Sequence, residues 1–542
     1  MSDERKQAFG VLAPVSYATQ EKGGVKSGGA QMAAGYANHG ASTSKNAFLG
    51  WVIGGGAPED DIDLQAGTLR QRARDLDMGG GIPRSAVATE TTTVIGEGLI
   101  PKPSIDYEAR GMSEEAALEW QEITKREFAF WAEGKMCDSA HRKNFYQLQS
   151  LAFRSFLVSG DVIALLPMFP APGTPYTLHV QLLEADRLAT PESNGESTSQ
   201  ESGKGRIIDG VEIDEIGRVV KYHIASRHPL NESATGSITY QPIDAYGKDT
   251  GMPNVLHVYV PERPEQYRGV PLVAPIIEKS KQLDRYLNSE LAANVVSSMF
   301  TLFITSQPET DITRSSLTDA VPESEQAAGA DGNHLHMKAG AVIELEPGQE
   351  PKPINPMRPN SAFAAFVDAV STQLGASIEM PKEILLKAFT KSYSASRAAL
   401  TEYWRKVPVA RRNFVADFCQ PVYEAWLAEA VAIGRIEAPG FFDDPVIRRA
   451  WCKCEWIGST MQQLDPLKEV EAAERRVALN ISTQEREAAE FNGSDWNENI
   501  AQRQREISAI AGMSAPGKIS DPHAPGEGDE DDEEGTEEND DA

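Results

Sequence analysis

Cysteine is scarce in this sequence. Cys137, Cys419, Cys452 and Cys454 are the only four in 542 residues, too few and too widely spread for a disulfide framework, so a reducing compartment such as a cytoplasm is expected. Long apolar runs are missing as well. The most apolar stretch, residues 291–305, is short and carries Ser, Thr and Asn, which excludes a bilayer span there. The first residues, from Met1 to Lys6, mix both charge signs and lead into no sustained apolar segment, so they do not read as a secretion signal. Positive charge is in deficit too: 52 Lys and Arg stand against 80 Asp and Glu, a formal net charge of −28. That balance argues against gripping nucleic acid across a broad basic surface, because such a grip comes from Lys and Arg neutralising phosphates. Twelve of the acidic residues fall in 521–542, where there is no Lys or Arg, and this tail is expected to be disordered.

Catalytic signatures are equally thin. A nucleotide-hydrolysing motor needs a Gly-rich phosphate loop that ends in Lys followed by Ser or Thr. The near match Gly512-Met-Ser-Ala-Pro-Gly517-Lys518-Ile519 places Ile519 where a hydroxyl must reach magnesium, with no strand before it. Cys452-x-Cys454 and His334-x-His336 lack the spacing and the second pair of a zinc site. Both read as strand neighbours pointing to one face. There is no Gly-x-Ser-x-Gly elbow and no His-Glu-x-x-His. No catalytic group, metal or cofactor is expected.

What is present is an α+β pattern, mainly helical. Residues 1–60 are rich in Gly, Ala and Ser and read as a flexible arm. Helices are expected over 62–77 and from Ser113, whose hydroxyl suits an N-cap. Between 161 and 261 the period becomes strand-like, with runs at 162–166, 177–183 and 219–224, a hairpin turn at 213–217 and a polar loop at 191–205. Residues 271–305 repeat apolar side chains at three- and four-residue steps, and a helix of that length reaches roughly 50 Å at about 1.5 Å per residue. Pro and Gly then break the pattern, with a short strand at 341–345, before a helix at 362–374 and a loop containing Met380-Pro381. The helical stretch 394–433 is interrupted by Pro408 and Pro421, each of which should bend or divide it. A small helical bundle follows, started by Pro466, with a capping box at Ser482 and Glu485 and a last apolar stripe through Trp496, Ile500, Ile507 and Ile510.

Several blocks, in this order, carry a family resemblance. They are Gly40-Ala-Ser-Thr-Ser44, Leu69-Arg70-Gln71-Arg72-Ala73-Arg74-Asp75-Leu76, Ile95-Gly96-Glu97-Gly98 and Leu183-Glu184-Ala185-Asp186-Arg187-Leu188. Next come Asp209-Gly210-Val211-Glu212-Ile213-Asp214 with Tyr222-His223-Ile224, and the run from Arg263 to Pro271. Tyr393-Ser394-Ala395-Ser396-Arg397-Ala398-Ala399, Trp456-Ile457-Gly458 and Asp465-Pro466 complete the series. Together they resemble the portal proteins of lambda-like tailed bacteriophages, with Glu265 and Ser392 departing from the Gly and Asn of that pattern.

The resemblance implies a portal-type fold assembled as a ring of about twelve copies. Its parts would be a wing (61–270), a first stem helix (271–305), a clip (306–357) and a second stem helix (358–376). A tunnel loop (377–392), a channel-wall helix with the return to the wing (393–460), a crown (461–511) and the acidic tail (512–542) would follow. It also implies a place at one capsid vertex, assembly in a host cytoplasm, and partners: further copies of itself, the terminase large subunit, a major capsid or scaffold protein, head–tail connector proteins, and double-stranded DNA passing through. No membrane is implied. Lys382, Lys387 and Lys391 in the tunnel loop are the candidates for weak DNA contact, with ordinary solvated lysine as the plainer account. Arg268, Gly269 and Pro271 would aim the first stem helix, Gly269 by allowing unusual backbone angles. Tyr393, Ser394 and Arg397 would form the start of the wall helix, with Ser394 or Ser392 as its cap. Trp404, Phe414, Phe418 and Trp426 fit packing better than base stacking. A terminase-like enzyme and a non-channel minor capsid or scaffold protein are the competing readings; the missing phosphate loop opposes the first, and the mixed helix and strand pattern opposes a heptad scaffold.

Overall fold

A computed structural model describes residues 54–107, 111–191, 199–202, 205–231, 236–298, 302–305, 342–345, 362–389, 392–461 and 466–512. The expectations for most of the N-terminal arm, most of 306–357, the acidic tail, the His334/His336 pair and the near phosphate loop lie outside them. The chain divides into two units, Met1–Ser459 and Thr460–Ala542.

The first unit opens with a helical turn, Pro58–Asp61, and the helices α1 (Ala66–Gly79) and α2 (Gly81–Val94). Strand β1 (Ile100–Pro103) leads to α3 (Glu114–Glu133), where Ser113 Oγ accepts from Ala116 N as its sequence position suggested. Helix α4 (Phe145–Ser159) starts from a capping box made by Asn144 and Gln147. The strands that follow are β2 (Asp161–Leu165), β3 (Gln181–Glu184), β4 (Ser199–Ser202), β5 (Gly205–Ile208), β6 (Val211–Ile213), β7 (Val219–Ala225), β8 (Tyr240–Asp244) and β9 (Val255–Tyr259). They form a three-stranded sheet, β3-β2-β9, and a five-stranded antiparallel meander, β4-β5-β6-β7-β8. The expected strand at 177–183 is shorter: regular pairing covers only β3, and Leu178 and Val180 make isolated bridges to Met168 and Asp138.

The long amphipathic pattern becomes α5 (Ile277–Ser298), entered through a turn at Ala274–Ile276. It does not extend to residue 305. Residues 302–305 are instead strand β10 (Leu302–Thr305), paired in parallel with β11 (Val342–Leu345); a short Leu-Phe-Ile-Thr run suits a strand as well as a helix, and periodicity alone cannot separate them. Helix α6 (Phe363–Ser377) runs opposite to α5, since Tyr286 stacks with Phe363 and lies tilted against Phe366 while Lys279 Nζ reaches Gln373. Helices α7 (Tyr393–Trp404) and α8 (Val407–Phe414) are divided near Pro408; a π-helical turn, Val415–Cys419, then precedes α9 (Gln420–Ala432), which carries Pro421 in its first turn. A missing proline N–H is tolerated at such starts and breaks. After α10 (Pro445–Trp451), β12 (Cys454–Ile457) pairs with β1. Cys452 is the C-terminal residue capping α10, so only Cys454 lies in the strand and the two are not strand neighbours.

The core gathers α1–α4, the β2 sheet, α6 and the α7–α9 rod around rings. Phe128 lies edge-on to Trp426 at 5.0 Å and to Phe145 at 5.8 Å, and Phe414 stacks on Phe418 at 5.2 Å. Phe414, Phe418 and Trp426 are thus packing residues, while Trp404 is half-buried with Arg411 over its ring. The Glu429 carboxylate ties α9 to the segment before β3, accepting from Thr177 N at 2.6 Å and Leu178 N at 3.0 Å.

The second unit contains α11 (Pro466–Ala478), α12 (Gln484–Asn492) and α13 (Trp496–Gly512). The cap of α12 is Thr483, accepting from Arg486 N, one residue later than the expected Ser482 box. Arg476 and Glu487 form a two-pronged ion pair at 2.9 and 2.6 Å. Trp496 and Ile500 are half-buried, whereas Ile507 and Ile510 are exposed, so the far end of that stripe finds no cover among the described residues.

Candidate functional site

Four of the sequence blocks meet in one buried charge cage at the root of α5. Arg268 is fully buried. Its Nε donates to Asp161 Oδ2 at 2.6 Å, its Nη1 to Asp209 Oδ2 at 2.5 Å and to Leu188 O at 3.0 Å, and its Nη2 to Ala185 O at 2.8 Å. Arg70, from α1, lies 3.6 Å from Asp186 and 3.5 Å from Asp209. Arg74, one turn on, donates to Asp186. Burial works against the charged Asp161, but Arg268 and His257 outweigh it and hold the carboxyl far below the usual range. Burial likewise opposes the charged Arg268, and Asp161 and Asp209 more than reverse it. His257, 3.1 Å from Asp161, is pushed down by burial, with Asp161 acting against that push. Glu184, Asp186 and His228 also converge within 4.8 Å, yet Arg74 and Arg70 already supply positive charge to Asp186, so a cation is poorly accommodated there.

The backbone beside the cage is as constrained as the charges. Asp63 accepts from Tyr267 N and Arg268 N, and Leu272 N donates to Leu157 O at 2.9 Å. A Cβ on Gly269 would stand 1.9 Å from Gly160 O. Gly269 is therefore required by close approach of two chain segments, not by a left-handed backbone; it is Gly160 that has φ +88°. Pro271 is buried, and its carbonyl accepts from Ala274 N in the turn that begins α5.

Burial pushes the Asp63 carboxyl up to about 6, against the two N–H donors that favour its charge. Its stabilising contribution is then full below about 4 and is lost as pH rises through about 6, whereas Asp161 and Asp186, held low, contribute above about 4 and lose it on acidification. An Asp63→Asn variant is expected to remove the fall in stability between about pH 4 and pH 6. Urea midpoints across that window check this, and an unchanged slope would contradict it.

The loop residues lie at a different place in the same unit. Lys382 opens a helical turn, Lys382–Leu385, and its Nζ sits 2.5 and 2.6 Å from the two Asp368 carboxylate oxygens on α6. Lys387 is exposed, and Lys391 lies outside the described residues. At the start of α7, Ser392 holds the N-cap position without a capping bond and its hydroxyl meets that of Ser394. Arg397 and Ser394 line a shallow hollow with Ala398, Thr401, Glu402 and Arg405. Tyr393 is the first residue of α7. The structure thus places Arg268, Gly269 and Pro271 together, and the lysines and the α7 start elsewhere. Sequence reasoning missed Asp161 and Asp63, the cage's acids outside the quoted blocks, because neither sits in a motif.

The chain matches the family model for phage portal proteins of the lambda family over residues 44–411. It is 24% identical to portal protein B of Escherichia phage lambda over 472 residues, 82% of this chain and 84% of the relative. It is 25% identical to the portal protein of Escherichia phage N15 over 468 residues, 82% and 85% of the two chains. A chain in the neck of an empty gene transfer agent particle, computed with C6 symmetry, overlays with a TM-score of 0.38 at 13% identity, covering 78% of this chain and 92% of that one.

Proposed function

The chain belongs to the lambda family of phage portal proteins, and from that premise we propose that about twelve copies close into a ring at one capsid vertex, with double-stranded DNA moving along its axis during packaging and ejection. In this reading residues 61–270 are the wing, α5 and α6 the stem, 306–357 the clip, 377–392 the tunnel loop, 393–460 the channel wall and return to the wing, and 461–511 the crown. The terminase large subunit docks first and supplies the work of packaging; head–tail connector proteins replace it afterwards. Assembly takes place in the host cytoplasm with a capsid or scaffold protein as the other contact.

The observation that carries this reading is the family match over residues 44–411, which takes in the segments proposed as wing, stem, clip and tunnel loop and the first part of the wall. Its chemistry is consistent with a conduit. The charges of the cage neutralise one another inside the fold, and of the described loop lysines Lys382 is held by Asp368 while Lys387 stands outside an ion pair. A duplex that must slide needs weak contacts, since every neutralised phosphate adds affinity through counterion release. The test is head assembly with and without this chain. Heads formed without it are expected to contain no packaged DNA; normally filled heads would overturn the proposal.

A further inference from the structure

The loop between α6 and α7 has two shoulders, both held in the left-handed region by residues other than glycine. Glu379 has φ +55° and Lys387 φ +53°, a geometry that surrounding structure must maintain. At the first shoulder Met380 N donates to Gly375 O at 2.9 Å, and a Cβ on Gly375 would lie 2.4 Å from Met380 O, which fixes the entry. At the second, Ala388 N donates to Glu383 O at 3.0 Å, and Leu385, the last residue of the preceding helical turn, is buried with its carbonyl accepting from Ser85 Oγ at 2.8 Å. The root of the tip is therefore anchored, and residues 386–389 stand out from it with Leu386 38% and Phe389 52% exposed.

Beside the first shoulder opens a groove of about 730 Å³, where Ala376, Met380, Pro381 and Tyr403 share the lining with Glu379 and other charged side chains. The other cations around it are taken: Lys382 by Asp368, Arg405 by Glu402 and Lys406 by Glu90. Glu379 and Lys387 are both exposed, and neither has an ion-pair partner among the described residues of its own copy. Among the described residues, one chain thus presents an apolar tip with a cation outside any ion pair, Lys387, and a groove of mixed lining with a carboxylate outside any ion pair, Glu379.

We propose that the groove is a docking site for a second copy of this chain: the 386–389 tip of one copy seats in the groove of the next, with Lys387 against Glu379 of that copy. The inference rests on the ring reading, because a closed ring needs two different surfaces of one chain to fit each other. It also commits Lys387 to protein and not to phosphate, which keeps the channel wall weakly binding.

The test uses the full chain carrying Glu379→Cys and Lys387→Cys together, treated with a short bismaleimide and imaged in parallel by electron microscopy. Cys137, Cys419 and Cys452 are buried, and the unaltered chain and the two single variants control for the native thiols. The double variant is expected to give a ladder of covalent multimers that the controls lack. A second pair guards against a variant that fails to assemble: Glu379→Lys and Lys387→Glu should each lower ring yield, and the combined exchange should restore it. Rings that give no ladder, with no restoration by the exchange, would overturn the docking while leaving the ring intact. An unaltered chain that forms no rings would overturn the reading beneath it.

Discussion

An Arg268→Met variant is expected to lose about 3–5 kcal/mol of folding stability, the usual cost of removing one partner from a buried ion pair. The size follows from what remains behind. Asp161 would stay buried without the Arg268 charge that holds it low, Asp209 would keep only Arg70 at 3.5 Å, and the carbonyls of Ala185 and Leu188 would lose these donors. Asp161 would then take up a proton or drag water inward, and the junction of α4, β2 and the segment before α5 would loosen. Removing the acids as well should recover much of the loss: Arg268→Met combined with Asp161→Asn and Asp209→Asn replaces charges left short of compensation by neutral groups that tolerate burial. Urea unfolding of the single and combined variants measures the difference. A single variant within about 1 kcal/mol of the unaltered chain would mean the cage is wetter than its burial indicates.

Gly269→Ala should cost about 3 kcal/mol or more, at the large end for a single methyl group. The added Cβ would meet Gly160 O at 1.9 Å and Tyr259 Cβ at 3.0 Å. Backbone cannot swing aside as a flexible side chain would, so the strands and the root of α5 must separate. Gly160→Ala should behave similarly for two reasons: its Cβ would lie 2.5 Å from Gly269 O, and its φ of +88° disfavours any L side chain. The readout is thermal midpoint together with ring yield, since a re-aimed α5 disturbs assembly even where the subunit stays folded. An alanine variant with unaltered midpoint and yield would show that the two segments are freer to part than their contact implies.

Local order was largely legible in the sequence, and long-range partnership was not. Periodic apolar spacing located α5 and α6, Ser113 announced its cap, and Pro408 and Pro421 marked where the long rod divides. The Leu302–Thr305 strand escaped because four apolar residues at a helix end satisfy both periods. Thr483 in place of Ser482 as a cap is a one-residue choice that the apolar pattern does not decide. For the cage, the blocks that signalled the family contain Arg70, Arg74, Asp186, Asp209 and Arg268, yet nothing along the chain says that they meet. Asp161 sits 107 positions from Arg268 and looks, in sequence, like a polar residue opening a strand. The role of Gly269 was visible as a need for glycine, but the reason, a close neighbour, required the fold.

The central claim is a perforated ring, and an axial view of the purified full-length assembly by electron microscopy tests it most directly. The account predicts closed rings of uniform copy number with a hole wide enough for a duplex, and no nucleotide turnover by the protein alone. Compact particles without a hole, or hydrolysis of ATP by the isolated chain, would contradict it.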